Sequence, residues 1–110
     1  MRMRIALTTL EKARIARGQF VRVDLAAGSI LVGKVDGAWC AYENECRHRA
    51  LPIDLGASSP MSDDANFLLC HQHGALYRLR DGLCVAGPCV GEKLASVEVS
   101  EEGADLVVRR

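Results

Sequence analysis

Short runs in which apolar and polar residues alternate recur along the chain, and turn residues separate them. The stretch FVRVDL (Phe20–Leu25) has the two-residue period of a half-buried β-strand. ILVGKV (Ile30–Val35) and AWCAYE (Ala38–Glu43) follow it, and Asp36–Gly37 between them is a strong hairpin signal. Closely spaced short strands with little helix predict an all-β protein, built as a small antiparallel sandwich or barrel.

Further short strands are predicted on both sides of this hairpin. One segment, Glu11–Arg17, fits either one or two helical turns or an extended loop. Another segment, Gly56–Asn66, is small and polar without periodicity, and it predicts a surface loop. The remaining predicted strands are Arg4–Leu7, Phe67–Leu69, Ala75–Leu79, Leu83–Gly87, Ala95–Ser100 and Asp105–Arg109.

Length and charge narrow the classes of protein to consider. A chain of 110 residues suits one domain, 1–110. Its 14 basic and 14 acidic residues cancel, which gives no general attraction to nucleic acid or to an anionic membrane. The chain contains neither the apolar run of a signal peptide nor the roughly 18 apolar residues of a membrane span. We therefore expect a cytoplasmic protein that binds neither nucleic acid nor a membrane.

Five cysteines are an odd number, so complete internal pairing is impossible. In a reducing cytosol, metal ligands or buried thiols are expected rather than disulfides. Cys40 and Cys84 lie in predicted strands and are expected to be small buried residues, and Trp39 and Phe67 are expected in the core. Cys89 follows Pro88 and could lie near a metal centre, with a redox role as the less favoured interpretation.

Two short motifs bring cysteine and histidine together. The first is C-x-H at Cys46 and His48, and the second is C-x-x-H at Cys70 and His73. Zinc accepts two cysteines and two histidines, but zinc fingers usually pair cysteine with cysteine and histidine with histidine. A binuclear iron–sulfur cluster explains the mixed loops, because one iron takes both sulfurs and the other takes both nitrogens. His71 is an alternative ligand, but we expect it to be exposed beside the site.

These motifs resemble the two cluster-binding loops of the Rieske [2Fe–2S] family. The resemblance rests on CRH at Cys46–His48 and CHQHG at Cys70–Gly74, and it extends over roughly residues 20–88. DGLCVAGP at Asp81–Pro88 supports it, because family members often cover the cluster with a glycine–proline loop there. It implies one [2Fe–2S] cluster in a subdomain of about residues 44–90. Cys46 and Cys70 would bind one iron, and His48 and His73 the other.

The resemblance also indicates the type of Rieske protein. Respiratory members carry an extra cysteine in each loop, and these loops have none, so the chain is similar to the ferredoxin type. High-potential members place a serine and a tyrosine where this chain has Ala75 and Tyr77. One hydroxyl donor of two predicts a potential in the lower part of the Rieske range, about −150 to +300 mV. Gly74, Tyr77 and Pro88 are expected around the cluster.

The ligand count predicts electron transfer rather than catalysis. Four protein ligands leave no open position for a substrate, so we expect a carrier and not an enzyme. The resemblance implies a stand-alone Rieske-type ferredoxin that passes single electrons between redox proteins such as a reductase and an oxygenase. The alternatives are a small Rieske subunit of a larger redox enzyme and a zinc-stapled or cluster-sensing interaction module. The sequence leaves the oligomeric state open, and a monomer is compatible with it.

Partners are expected to dock at the loop tips, where the histidines would be the outermost ligands. Leu51, Pro52 and Pro88 are expected to form an apolar collar there. Arg47 and Arg49 flank His48 and could steer an acidic partner.

Overall fold

The computed structural model describes residues 2–47, 51–55 and 59–110, and in those ranges it has one helix and nine strands. The strands form three antiparallel sheets of three strands each, in the orders β1-β9-β8, β2-β3-β4 and β5-β6-β7. The elements are β1 (Arg2–Ile5), α1 (Thr9–Ala16), β2 (Val21–Asp24), β3 (Ser29–Val35), β4 (Ala38–Glu43), β5 (Phe67–Leu69), β6 (Leu76–Arg78), β7 (Cys84–Ala86), β8 (Glu98–Glu102) and β9 (Asp105–Arg109). The predicted all-β fold is confirmed.

A capping box shows that the segment around Glu11–Arg17, for which the sequence allowed a helix or a loop, begins a helix. The Thr8 hydroxyl accepts a hydrogen bond from the Glu11 backbone N–H at 3.1 Å. The Glu11 carboxylate accepts one in return from the Thr8 backbone N–H at 2.8 Å. This reciprocal pair satisfies two backbone donors of the first turn, so the segment forms helix α1.

The sheet β2-β3-β4 separates two hydrophobic clusters. Side chains alternate across a strand, so Ile30 and Val32 of β3 face one cluster while Leu31 faces the other. The first cluster joins this sheet to β1 and β9 through residues such as Leu106 and Val108. The second contains Leu31 and four of the five cysteines, which are Cys46, Cys70, Cys84 and Cys89. The sheet therefore has a structural core on one face and the candidate site on the other.

Both predicted metal-binding loops begin where a strand ends. The first follows β4, and the second begins at Cys70, directly after β5. Strand β5 pairs with β6, which places Leu68 opposite Tyr77, and β6 pairs with β7. Three short paired strands therefore hold the second loop and the glycine–proline loop side by side.

Several predicted boundaries need correction. The first strand ends at Ile5 instead of running to Leu7, and the strand predicted from Ala95 begins at Glu98. Trp39 is only half-buried, because its indole N–H donates to the Glu101 carboxylate at 2.7 Å near the surface. Phe67 is also half-buried.

The predicted loop over residues 56–66 is partly buried. Residues 56–58 lie outside the described ranges, but Pro60 and Met61 are buried. Met61 forms an isolated β-bridge with Leu68, and its sulfur lies 3.3 Å from the Phe20 backbone nitrogen. A methionine in a polar run therefore anchors this segment to the core. Within the described part of the chain, no helix is long and apolar enough to cross a membrane.

Gly33 lies beneath the aromatic ring of Phe20, which stacks on Tyr42 with ring centroids 6.0 Å apart. A Cβ at Gly33 would come within 2.3 Å of the Phe20 ring. Gly33→Ala should therefore lower the free energy of unfolding by about 1–3 kcal/mol through overpacking, as measured by urea denaturation. The loss should shrink when the same change is made in a Phe20→Leu background. An equal loss in both backgrounds would contradict the clash.

Candidate metal centre

The structure brings Cys46 and Cys70 together from the two loops. Their Sγ atoms lie 3.2 Å apart, and both side chains are buried. This separation exceeds the roughly 2.05 Å of a disulfide bond. It is close to the roughly 3.7 Å between two thiolates on one tetrahedral metal with bonds of about 2.3 Å. The two sulfurs thus fit a shared metal ion with a small outward movement.

The turn that carries Cys70 is held by its own backbone. The Gly74 N–H donates to the Cys70 carbonyl, and the Cys70 N–H donates to the Ala75 carbonyl, both at 2.8 Å. Gly74 has a φ of +72°, a left-handed conformation that glycine adopts without strain. The motif C-x-x-H-G therefore needs its glycine for the turn.

The environment of Cys70 favours a bound cation. Burial raises the pKa of the Cys70 thiol, and the neighbouring Cys46 sulfur raises it further. The backbone N–H groups of His73 and Gln72 favour the thiolate and lower the pKa of Cys70. Without a metal the raised pKa keeps the Cys70 thiol protonated, whereas a metal ion would neutralise two thiolates in this dry position.

A buried polar network supports the first loop. The Asn44 side-chain oxygen accepts from the Ile53 backbone N–H at 2.9 Å, and its amide nitrogen donates to Asp54 at 3.3 Å. Arg22 pairs with Asp54 at 3.0 Å. The Ile53 carbonyl then accepts from the His71 backbone N–H at 2.8 Å, which ties the two loops together. Sequence reasoning missed Arg22, Asn44 and Asp54, because they are far apart in the chain and lie outside any ligand motif.

Of the two predicted histidine ligands, the structure describes His73. His73 is half-buried, with its Nδ1 atom enclosed by protein, so it lies further out than the two cysteines. His48 lies outside the described residues, as do Arg49 and Ala50. In the ranges that are described, no three histidine, cysteine, aspartate or glutamate side chains gather around one point. The complete ligand set therefore stays a prediction.

His71 differs clearly from its neighbour His73. Its side chain is exposed, as the sequence predicted, and its Nε2 atom lies 3.0 Å from the Ser59 carbonyl oxygen. This position on the outside of the loop supports the preference for His73 as the ligand.

The Tyr77 hydroxyl contacts the sulfur of Cys46 and that of Cys89. Its side chain is fully buried, and its Oη atom lies 3.6 Å from the Cys46 Sγ and 3.1 Å from the Cys89 Sγ. The Arg47 backbone N–H donates to the same oxygen at 3.2 Å. Burial raises the pKa of Tyr77, and the Cys89 and Cys46 sulfurs raise it further. The hydroxyl therefore keeps its proton and can donate it to a sulfur.

The glycine–proline loop presses against the second ligand loop. Gly87 has a φ of +98°, and a Cβ there would come within 2.7 Å of the Ala75 Cα. Pro88 is exposed at this edge, and Cys89 after it is buried. Only glycine allows the two loops to approach so closely.

The prediction for Cys40 was wrong in one respect, since that residue is half-buried rather than buried.

Residues 6–101 match the family model of the Rieske [2Fe–2S] domain. The chain belongs to the Rieske [2Fe–2S] family. Its cofactor is one [2Fe–2S] cluster, and the buried, closely spaced thiols of Cys46 and Cys70 fit such a group. When bound, the cluster accepts and releases single electrons, so the chain is an electron-transfer protein.

Solved structures confirm the fold. The chain is similar to the terminal oxygenase of carbazole 1,9a-dioxygenase from Novosphingobium sp. KA1, with 23% identity and a TM-score of 0.72. That match covers 97% of this chain but only 29% of the oxygenase chain. The chain is also similar to the ferredoxin of carbazole 1,9a-dioxygenase from Nocardioides aromaticivorans IC177, with 20% identity and a TM-score of 0.66, over 98% and 96% of the two chains. No curated protein matches the sequence.

The two neighbouring histidines of the second loop allow a matched test of the ligand assignment. His73→Ala should abolish the cluster or change its visible absorption and electron paramagnetic resonance spectra, because one iron would lose a ligand. His71→Ala should leave an assembled cluster, since that side chain is exposed. Iron and sulfide analysis of both variants checks this. The reverse pattern would mean that His71 is the ligand.

Tyr77→Phe tests the hydroxyl contact with the sulfur pair. Loss of a donor to Cys46 removes stabilisation of the reduced, more negative cluster, so the midpoint potential should fall. A hydrogen bond of about 1 kcal/mol corresponds to roughly 40 mV for one electron. Protein-film voltammetry measures the shift. An unchanged potential would show that Tyr77 does not donate to Cys46 when the cluster is bound.

Proposed function

We propose that the protein is a cytoplasmic Rieske-type ferredoxin that carries single electrons between a reductase and an oxygenase. The observation that carries the proposal is the arrangement of the described ligands. The sulfurs of Cys46 and Cys70 are fully buried, whereas His73 is only half-buried, so an electron could leave through the histidine side without opening the site. We propose His48 as the second histidine ligand, in line with the family motif. We also propose one domain over residues 1–110, with a cluster-binding subdomain of about residues 44–90.

Two neighbours support the choice of partner. One is the carbazole dioxygenase ferredoxin already described, whose length this chain nearly equals. The other is a solved complex between oxygenase and ferredoxin in carbazole 1,9a-dioxygenase, which this chain matches with 20% identity and a TM-score of 0.66 over 83% of its length and 24% of the matched chain. A small carrier that meets an oxygenase is therefore a suitable precedent for this protein.

The surface beside the sulfur pair suits transient docking. Leu51 is 41% exposed, and its carbonyl accepts from the Cys46 backbone N–H at 2.7 Å, so it lies against the first ligand loop. Pro88 is exposed on the other side, and Arg47 is exposed next to Cys46. A small apolar surface with a cation beside it favours a partner with an acidic rim. Arg49, which lies outside the described ranges, is proposed to act with Arg47.

A second candidate function is a Rieske component held within a larger redox enzyme. The higher TM-score to the terminal oxygenase favours it, because there an equivalent fold occupies part of a catalytic chain. A fixed component would elute as a stable complex with its catalytic subunit, whereas a carrier would elute alone. The zinc-stapled module loses support, since the family assigns a [2Fe–2S] cluster to the chain.

Charge reversal at Arg47 tests the carrier function and its docking face. The dithionite-reduced protein is mixed in a stopped-flow instrument with the oxidised terminal oxygenase of carbazole 1,9a-dioxygenase as a probe acceptor. Arg47→Glu should slow electron transfer by roughly tenfold at low ionic strength and by less at high salt, because steering is screened. The midpoint potential should change little, because the Arg47 side chain is exposed to solvent.

Arg109→Glu is the matched control, since Arg109 is exposed on β9, in a different sheet from the ligand loops. Its transfer rate should equal that of the unmodified protein. Cytochrome c serves as a second, general acceptor. Transfer to neither acceptor would overturn the carrier function, and equal slowing by both charge reversals would place the docking face elsewhere.

A further inference from the structure

A second pair of buried thiols lies behind the ligand pair. The Sγ atoms of Cys84 and Cys89 are 3.2 Å apart, and both side chains are buried. Neither residue belongs to the predicted ligand set. Tyr77 connects the two pairs, because its hydroxyl touches Cys89 on one side and Cys46 on the other.

The direction of the hydrogen bonds in this second pair is fixed at one end. The Ala86 carbonyl oxygen, 3.2 Å from the Cys84 sulfur, can only accept, so the Cys84 S–H donates to it. The Cys84 sulfur then accepts from the Cys89 S–H. The Cys89 sulfur is left as an acceptor for the Tyr77 hydroxyl at 3.1 Å.

Tyr77 has one hydroxyl proton and two sulfurs within reach. The Cys46 Sγ lies at 3.6 Å, so the geometry as it stands favours Cys89. The Arg47 N–H already donates to the tyrosine oxygen and supplies no proton to either sulfur. When the Tyr77 hydroxyl donates to Cys89 it cannot donate to Cys46. The two sulfurs therefore compete for one donor.

We propose that Cys89, oriented by Cys84, competes with the ligand Cys46 for the Tyr77 proton and thereby lowers the reduction potential of the cluster. Cys89 is a positioning residue, since it acts through Tyr77. The proposal rests on the electron-carrier function, because it concerns the potential at which the carrier works. It needs only the bound cluster and no partner protein.

The size of the change in reduction potential depends on how strongly each sulfur accepts the Tyr77 hydrogen bond. A neutral thiol is a weak acceptor, whereas Cys46 bound to iron would carry thiolate charge and accept more strongly. Cys89 would then hold the proton for only part of the time. Removing it should raise the equilibrium constant for reduction about threefold, which is about 28 mV at about 59 mV per tenfold for one electron.

Three alanine variants test the competition by voltammetry. Cys89→Ala should raise the midpoint potential, because Tyr77 has no second acceptor. Cys84→Ala should raise it too, because the Cys89 S–H loses its acceptor and turns towards the Tyr77 oxygen, which frees the tyrosine proton for Cys46. Cys40→Ala is the matched control and should leave the potential unchanged, since Cys40 is half-buried and its thiol donates to the carbonyls of Ala38 and Arg80.

The same variants in a Tyr77→Phe background identify the route. Cys89→Ala should then have no effect, because the shared donor is absent. Resonance Raman spectra give a second readout, as a stronger hydrogen bond to Cys46 should lower an iron–cysteine stretching frequency in Cys89→Ala and not in its double variant with Tyr77→Phe. Iron and sulfide content of each variant shows that the cluster is intact.

Each result decides for or against the competition. A potential that stays the same or falls in Cys89→Ala overturns it, as does a rise of equal size in the Tyr77→Phe background. If Cys89→Ala does not retain the cluster, Cys84→Ala must give the rise by itself, and failure to do so overturns the proposal. Variants that shift as expected in a protein that reduces no acceptor would retain this inference and reject the carrier function.

Discussion

Two buried sulfur atoms 3.2 Å apart, from residues 24 positions apart in the chain, impose the main constraint on this fold. Burial raises the pKa of the Cys70 thiol, and the neighbouring Cys46 sulfur raises it further, so the pair is better suited to a metal-bound state than to thiolates without a metal. Both loops must therefore be held in place by groups other than the sulfurs themselves. The ligand loops start from the ends of β4 and β5, the Arg22–Asp54–Asn44 network supports the first loop, and the hydrogen bond from the His71 N–H to the Ile53 carbonyl ties it to the second.

This constraint explains why the central sheet is buried on both faces. The cluster on the ligand side contains buried thiols and a buried tyrosine, and the loops beside it have left-handed glycines. The other face holds buried aliphatic residues from four strands, β1, β3, β4 and β9, including Ile30, Val32 and Val108. The aliphatic core and the candidate metal centre thus lie on opposite faces of β2-β3-β4. Strand β3 reads as a continuous apolar run because it serves both faces.

The sequence predicted the features that depend on neighbouring residues. The bounds of β4 and β5 and the two ligand motifs follow from short patterns, and the T-x-x-E capping box would have identified α1. The network around Asn44 could not be predicted, because its partners come from separate strands and loops with no periodic signal. The burial of Met61 within a polar run and the half-exposure of Trp39 have the same origin. Each depends on tertiary contacts that override the local pattern.

Close packing also limits how the potential can be adjusted. Ala75 is fully buried against the Gly87 loop, at the position where high-potential members of the family place a serine donor. Of the two hydroxyl positions, only the one at Tyr77 is filled, so its single proton carries more weight than in a site with two donors. That oxygen is already shared among the Arg47 N–H, Cys46 and Cys89. In this site, the placement of one proton among buried sulfurs replaces the addition of further donors as the means of setting the potential.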